Sequence, residues 1–184
     1  MIFNIPTFTT SIPIAPISNT VPEIPFYSQF QDIHAISWQK VGCGITSLAM
    51  IIDYYSTDSI SVDSLLKEGI TKGAYDKNAG WIHQGLISLS NKYGLQGSGY
   101  DVSSLSKEKA FSKLESYLIN GPVMVSVHYK FNPKSSIPHI VVLDGIKDDI
   151  IYYNDPAAKV GQKTISIADF QKGWKDKFIV IRPV

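Results

Sequence analysis

Three features of this 184-residue chain predict an α+β fold, with a helical N-terminal part and an antiparallel β-sheet in the C-terminal part. Between residues 43 and 118 apolar side chains recur at helical spacing. From residue 122 to residue 184 they gather into short β-branched runs. Two of those runs flank Lys147-Asp148, which reads as a hairpin turn. The length suits one domain, and 44% hydrophobic residues suffice for its core.

Residues 1–20 are uncharged and interrupted by Pro6, Pro13 and Pro16, a composition for an extended arm ahead of a domain spanning residues 21–184. Val21 to Phe30 alternates prolines with Ile24, Phe26 and Tyr27, consistent with an extended edge segment. After a loop from Gln31 to Val41, Cys43 to about Tyr55 is apolar nearly all round, so this helix belongs at the centre of the molecule. A shorter helix follows, with Ser61 as N-cap, Leu65 and Leu66 buried and Gly69 as its stop. Gly80 to Tyr93 is read as a helix whose Ile82, Leu86, Leu89 and Tyr93 share one face, ended by Gly94. Ser106 caps another, with Phe111, Leu114 and Leu118 as its stripe, and Asn120-Gly121-Pro122 ends it. Strands are expected at Pro122–Tyr129, His139–Ile146, Asp149–Asn154 and Phe178–Val184.

Composition excludes several classes. Seventeen basic and 16 acidic residues are interspersed, giving a net charge of +1 and no electrostatic footprint for nucleic acid. No apolar run reaches the ~20 residues of a membrane span, and the N-terminus lacks the basic segment of a signal peptide. A cytoplasmic monomer is the default expectation. A single cysteine forbids an internal disulfide and a Cys-rich zinc site, and the four histidines lack short ligand spacings, so neither metal nor cofactor is expected.

That cysteine is the most informative residue. Cys43 lies in Gly42-Cys43-Gly44 at the start of the central helix, where unpaired N–H groups and the macrodipole favour an anion. A lone cysteine is often buried and inert, but two distant residues argue otherwise here. His139 opens one predicted strand, and Asp155 lies just beyond the next. A hairpin centred on Lys147-Asp148 brings residues 139 and 155 together at its open end. Asp155 could then hold one ring nitrogen of His139 and aim the other at Cys43, the arrangement an activated nucleophile needs. Asn154 is the alternative orienter, and Asp155 before Pro156 could serve only as a turn former. An oxyanion requires donors as well, for which the Cys43 N–H and an upstream glutamine, Gln29, Gln31 or Gln39, are candidates. Gly42 and Gly44 would let backbone approach a substrate carbonyl. Trp81 and His83, off the apolar stripe of their helix, are candidates for substrate contact, whereas His34 and His128 read as structural or surface residues.

The blocks Tyr27-Ser28-Gln29, Gly42-Cys43-Gly44-Ile45-Thr46-Ser47-Leu48-Ala49-Met50, Gly80-Trp81-Ile82-His83, Gly121-Pro122-Val123, His139-Ile140-Val141-Val142 and Asn154-Asp155-Pro156 occur in a recognisable order. Over residues 21–184 the chain resembles the stand-alone relatives of the bacteriocin-processing, double-glycine cysteine peptidases of the papain-like superfamily. The resemblance implies a papain-like fold and a peptidase or amidase acting on a peptide or protein through a thioester acyl-enzyme. It assigns Cys43 as nucleophile, His139 as base, Asp155 as orienter and Gln29 as oxyanion donor. The transporter-fused members carry an acidic residue directly before the cysteine and a glutamine six positions before it; here those positions hold Gly42 and Ser37. That difference sets the chain outside the transporter-fused branch, so double-glycine specificity is not implied. The same residues would also serve an acyltransferase, and a peptide-binding module that kept the fold without activity is the non-enzymatic alternative.

Overall fold

In the computed structural model, which describes residues 21–57 and 60–184, the apolar helix expected at the centre is there. The arm read from residues 1–20 lies outside the described residues. After a one-turn helix α1 (Ile36–Gln39), helix α2 (Cys43–Tyr55) runs through the interior, with Ile45, Leu48, Ala49, Met50, Ile51 and Ile52 essentially inaccessible. Each of the larger side chains contributes about 1.5–3 kcal/mol by leaving water. Helix α3 (Val62–Thr71) starts as predicted, the Ser61 hydroxyl accepting from the Ser64 N–H. It does not stop at Gly69. That glycine lies buried inside the helix because a Cβ there would meet the Trp81 ring at 2.9 Å.

The predicted helix over Gly80–Tyr93 is shorter. Strands β1 (Tyr75–Asp76) and β2 (Gly80–Trp81) form a small hairpin, and α4 spans His83–Ser90 before a 3-10 turn closed by left-handed Gly94. Ile82 is exposed, since it precedes the helix rather than joining its buried face. Strand β3 (Leu95–Asp101) follows, then α5 (Lys107–Leu118), capped by Ser106 and buried through Phe111, Leu114 and Leu118 as the sequence predicts.

The remaining chain forms β4 (Val123–His128), β5 (Pro138–Lys147), β6 (Ile150–Asn154), β7 (Lys163–Ser166), helix α6 (Ile167–Gly173) and β8 (Trp174–Pro183). The large sheet is antiparallel, in the order β3-β8-β4-β5-β6-β7. Strand alternation divides two cores. Met124, Ile140, Val142, Ile179 and Ile181 pack toward α2, α3 and α4, while Val123, Val125, Val141, Leu143 and Phe178 pack with residues of α5 and α6.

Three further expectations need adjustment. The β5–β6 turn is Asp148-Asp149, one residue beyond the predicted pair, and both residues have positive φ, 51° and 60°, as a tight hairpin of this hand requires. Residues 21–28 join no sheet and are held by side-chain contacts, among them the Ser28 hydroxyl donating to the Ala158 carbonyl at 2.8 Å and the Tyr27 hydroxyl donating to Asp53 at 3.1 Å. Strand β3 lies between α4 and α5, so the chain is not divided cleanly into helices first and strands later.

Candidate active site

Cys43 is the first residue of α2, partly exposed at the floor of a cleft of about 720 Å³. Two glycines set its position. A Cβ on Gly42 would strike Ile33 Cδ1 at 2.2 Å, and one on Gly44 would strike Trp81 Cγ at 2.6 Å. Both glycines therefore seat the helix against its neighbours. Neither is among the residues that line the cleft, although both flank Cys43, which is.

Strand β5 brings His139 to the cleft, and the Ser47 hydroxyl ties that strand to α2 by donating to the Ile140 carbonyl at 3.2 Å. The hairpin delivers Asp155 as anticipated: His139 Nε2–H donates to Asp155 Oδ1 at 2.6 Å. Asp155 also accepts from the Ala157 N–H at 2.8 Å, which fixes its orientation. It stands behind the imidazole, outside the cleft wall. The second ring nitrogen of His139 is left for Cys43, which lines the same cleft and helps raise the imidazole's pKa. Tyr129 meets the His139 ring edge-on, centroids 5.4 Å apart, and further restrains it.

The electrostatics follow from this arrangement. Burial alone would lower the His139 pKa, but hydrogen bonds and charge interactions with Asp155 and Cys43 raise it to about 9. Burial works against the Asp155 carboxylate, yet its bond to His139 holds its pKa below the ordinary value. The imidazole therefore keeps its proton at neutral pH beside the sulfur.

Gln29 lies in the wall beside Cys43 and is buried. Its Nε2 donates to the Gln39 carbonyl at 2.7 Å, which occupies one of two amide hydrogens. Gln39 in turn donates to the Phe30 and Ile33 carbonyls, so it braces the loop before Cys43. Asn154, the alternative orienter, turns away from His139 toward Asp144 and the Ile24 carbonyl.

Trp81 and His83 both line the cleft, from β2 and the start of α4. Trp81 is largely buried and its Nε1 donates to the Val41 carbonyl at 2.6 Å, so it props the Cys43 loop as well as forming the wall. His83 Nε2 is 3.0 Å from the Ser126 hydroxyl, and burial lowers its pKa. His34 and His128 lie outside the cleft wall.

Several wall residues escaped sequence reasoning: Phe30, Tyr75, Lys77, Tyr129, Ile137 and Ser126. The run Lys77-Asn78-Ala79-Gly80 carries a turn signal that could have exposed the β1–β2 hairpin; the others have no local signature. Among the described residues, no group of three or more His, Cys, Asp and Glu side chains is placed to hold a metal ion. No helix among them is long and apolar enough to cross a membrane.

An antiparallel sheet packed on a central helix, with a thiol at that helix's N-terminus, is a papain-like fold. Residues 21–177 match the model of the Peptidase_C39-like family, and the chain belongs to that family. Solved structures agree on the fold. A double-glycine-motif protease from an AMS/PCAT transporter, determined with a leader peptide, superposes with a TM-score of 0.60 at 22% identity, over 88% of this chain and 93% of that one. A C39-like peptidase from Bacillus anthracis gives 0.60 at 17% identity, over 88% and 96%. The peptidase domain of Streptococcus ComA, a bifunctional ABC transporter, gives 0.59 at 19% identity, over 79% and 93%. Among curated protein sequences nothing matches.

Proposed function

We propose that this protein is a cysteine peptidase or amidase that hydrolyses a peptide bond through a covalent thioester. The observation that carries the proposal is His139, hydrogen-bonded to Asp155 at 2.6 Å through Nε2 and lining the same cleft as Cys43, whose interaction with the imidazole helps raise its pKa. The sulfur of Cys43 attacks the amide carbonyl carbon, and the C=O electron pair moves onto oxygen. The Cys43 N–H, in the first helical turn where such groups lack intrahelical partners, and the free amide hydrogen of Gln29 are the donors for that oxyanion. Collapse of the intermediate expels the amine, which takes the proton of His139. Water then attacks the thioester, giving a proton to His139, and the acid leaves as the thiol is restored.

The family membership supports a peptidase, and Cys43 and His139 line one cleft of about 720 Å³. The test is turnover of a cleavable peptide followed by intact mass under acid quench. Wild type should accumulate a species heavier by the acyl fragment, and Cys43→Ala should lose that species with its activity, by about 10³-fold or more. Added hydroxylamine should divert the acyl group to a hydroxamate. Unchanged hydrolysis in Cys43→Ala would remove the mechanism.

A further inference from the structure

The cleft carries a charge pattern that the chemistry of peptide hydrolysis does not require. Lys40, Lys77, Lys175 and Lys177 line it, and no Asp or Glu does. In a chain with 17 basic and 16 acidic residues, an even scatter would bring in carboxylates about as often as ammonium groups. Three separate pieces of backbone supply these lysines. Lys40 ends α1, just ahead of Cys43. Lys77 stands on the β1–β2 hairpin, where its neighbour Asp76 is occupied by accepting from the Asn78 and Ala79 N–H groups at 2.7 and 2.8 Å.

Lys175 and Lys177 flank Asp176, whose φ is 54°, in the stretch where the pairing of β8 with β4 slips between Ser126 and Val127. Such irregularities re-aim side chains, and here both lysines reach the cleft. Lys177 has a partner, Asp101, at 3.2 Å, with both side chains about half exposed. For Lys40, Lys77 and Lys175 no ion pair exists among the described residues. Apart from the lysines the cleft mixes apolar residues, Tyr75, Trp81, Tyr129, Ile137 and Ile140, with the uncharged polar Asn78 and Ser126 beside the catalytic candidates.

A cleft with apolar side chains and three ammonium groups free of ion pairs complements one kind of ligand: a chain with a bulky apolar side chain and carboxylates beside it. We propose that the substrate of this site is an acidic peptide, read by Lys40, Lys77 and Lys175. The proposal rests on the peptidase reading for its chemistry, while its binding component stands apart from catalysis.

The test uses three fluorescein-labelled peptides of one length and one apolar core, flanked by Glu, Gln or Lys. They are titrated into the Cys43→Ala protein and followed by anisotropy. Two or three exposed charge pairs should make the Glu peptide bind about three- to tenfold tighter than the Gln peptide at low salt, with the Lys peptide weakest. The preference should vanish in about 0.5 M NaCl, and also when Lys40→Gln, Lys77→Gln and Lys175→Gln are combined. Equal binding of the Glu and Gln peptides overturns the proposal, as does a preference that survives removal of the lysines. An oligonucleotide of equal charge that competes as well as the Glu peptide would overturn it too, as mere attraction of polyanions. Wild-type kinetics separate the two claims. Equal kcat/KM for all three peptides defeats the acidic preference and leaves the peptidase reading intact. Selective binding of the Glu peptide without cleavage upholds the preference and defeats the peptidase reading.

Discussion

His139 is where competing physical effects meet. Its burial opposes the charged imidazole, and the bond to Asp155 together with the interaction with Cys43 outweighs that opposition, leaving a pKa raised to about 9. A histidine raised in the folded state contributes stability that is fully present below its ordinary pKa of 6.5 and fades as pH rises through about 9. The same titration should set the alkaline limb of the pH dependence of kcat/KM. In Asp155→Ala the strongest of the raising contacts is gone, so that limb should move to lower pH and activity should fall by about 10²–10⁴-fold. An alkaline limb that stays in place would show that Asp155 does not hold the imidazole. Cys43, His139 and Asp155 were legible in the sequence because each is chemically distinctive and because a hairpin converts a 16-residue separation into contact. Tyr129 and Lys77 were not, because an aromatic ring and a lysine acquire meaning only from their neighbours in space.

At the scale of elements, glycine is the ambiguous residue. Gly69 was read as a helix stop and Gly97 and Gly99 hid β3, yet Gly69 accommodates the Trp81 ring and a Cβ on Gly97 would meet the Val180 carbonyl at 2.6 Å. A one-dimensional pattern cannot separate a glycine chosen for backbone freedom from one chosen for close approach. The helix at Cys43 was read correctly because its burial on every side leaves an unmistakable apolar run. Gly44→Ala isolates the packing role, since its methyl would collide with Trp81 at 2.6 Å from Cγ. That variant should lose about 1–3 kcal/mol in urea unfolding. Gly99→Ala, where the nearest atom would be His83 Cβ at an ordinary 3.7 Å, should change by no more than about 0.5 kcal/mol. Equal effects of the two would refute the role given to Trp81 as the prop of α2.

At the scale of the molecule, a second polar centre ties the site to the periphery. Asp144 is the extra residue of a bulge in β5, buried, with Asn154 Nδ2 donating to its two oxygens at 3.2 and 3.1 Å. Asn154 also donates to the Ile24 carbonyl and accepts from the Gln162 N–H at 2.8 Å. One amide thus joins β5, β6, the N-terminal segment and the loop that carries Asp155. Burial raises Asp144 from 3.8 to about 7 despite the bond from Asn154. Its folded pKa lies above its unfolded one, so stability is greatest at low pH and is lost as pH rises through about 7. The urea midpoint of wild type should fall between about pH 4 and 7, and Asp144→Asn should remove most of that slope while the His139 contribution persists in both proteins. Parallel pH curves for the two proteins would contradict the assignment. A bulge and a buried carboxylate of this kind leave no trace in residue spacing, which is why this centre was invisible before the fold.

The pairing of Cys43 with His139 is tested by the pH dependence of iodoacetamide alkylation, read by intact mass, for wild type and His139→Ala. The single thiol makes every mass increment assignable to Cys43. Wild type should react nearly as fast at pH 6 as at pH 8, whereas His139→Ala should slow by about tenfold per pH unit, as an unassisted thiol does. Coincident curves would mean that the imidazole does not act on the sulfur, and the proposed chemistry would fail with it.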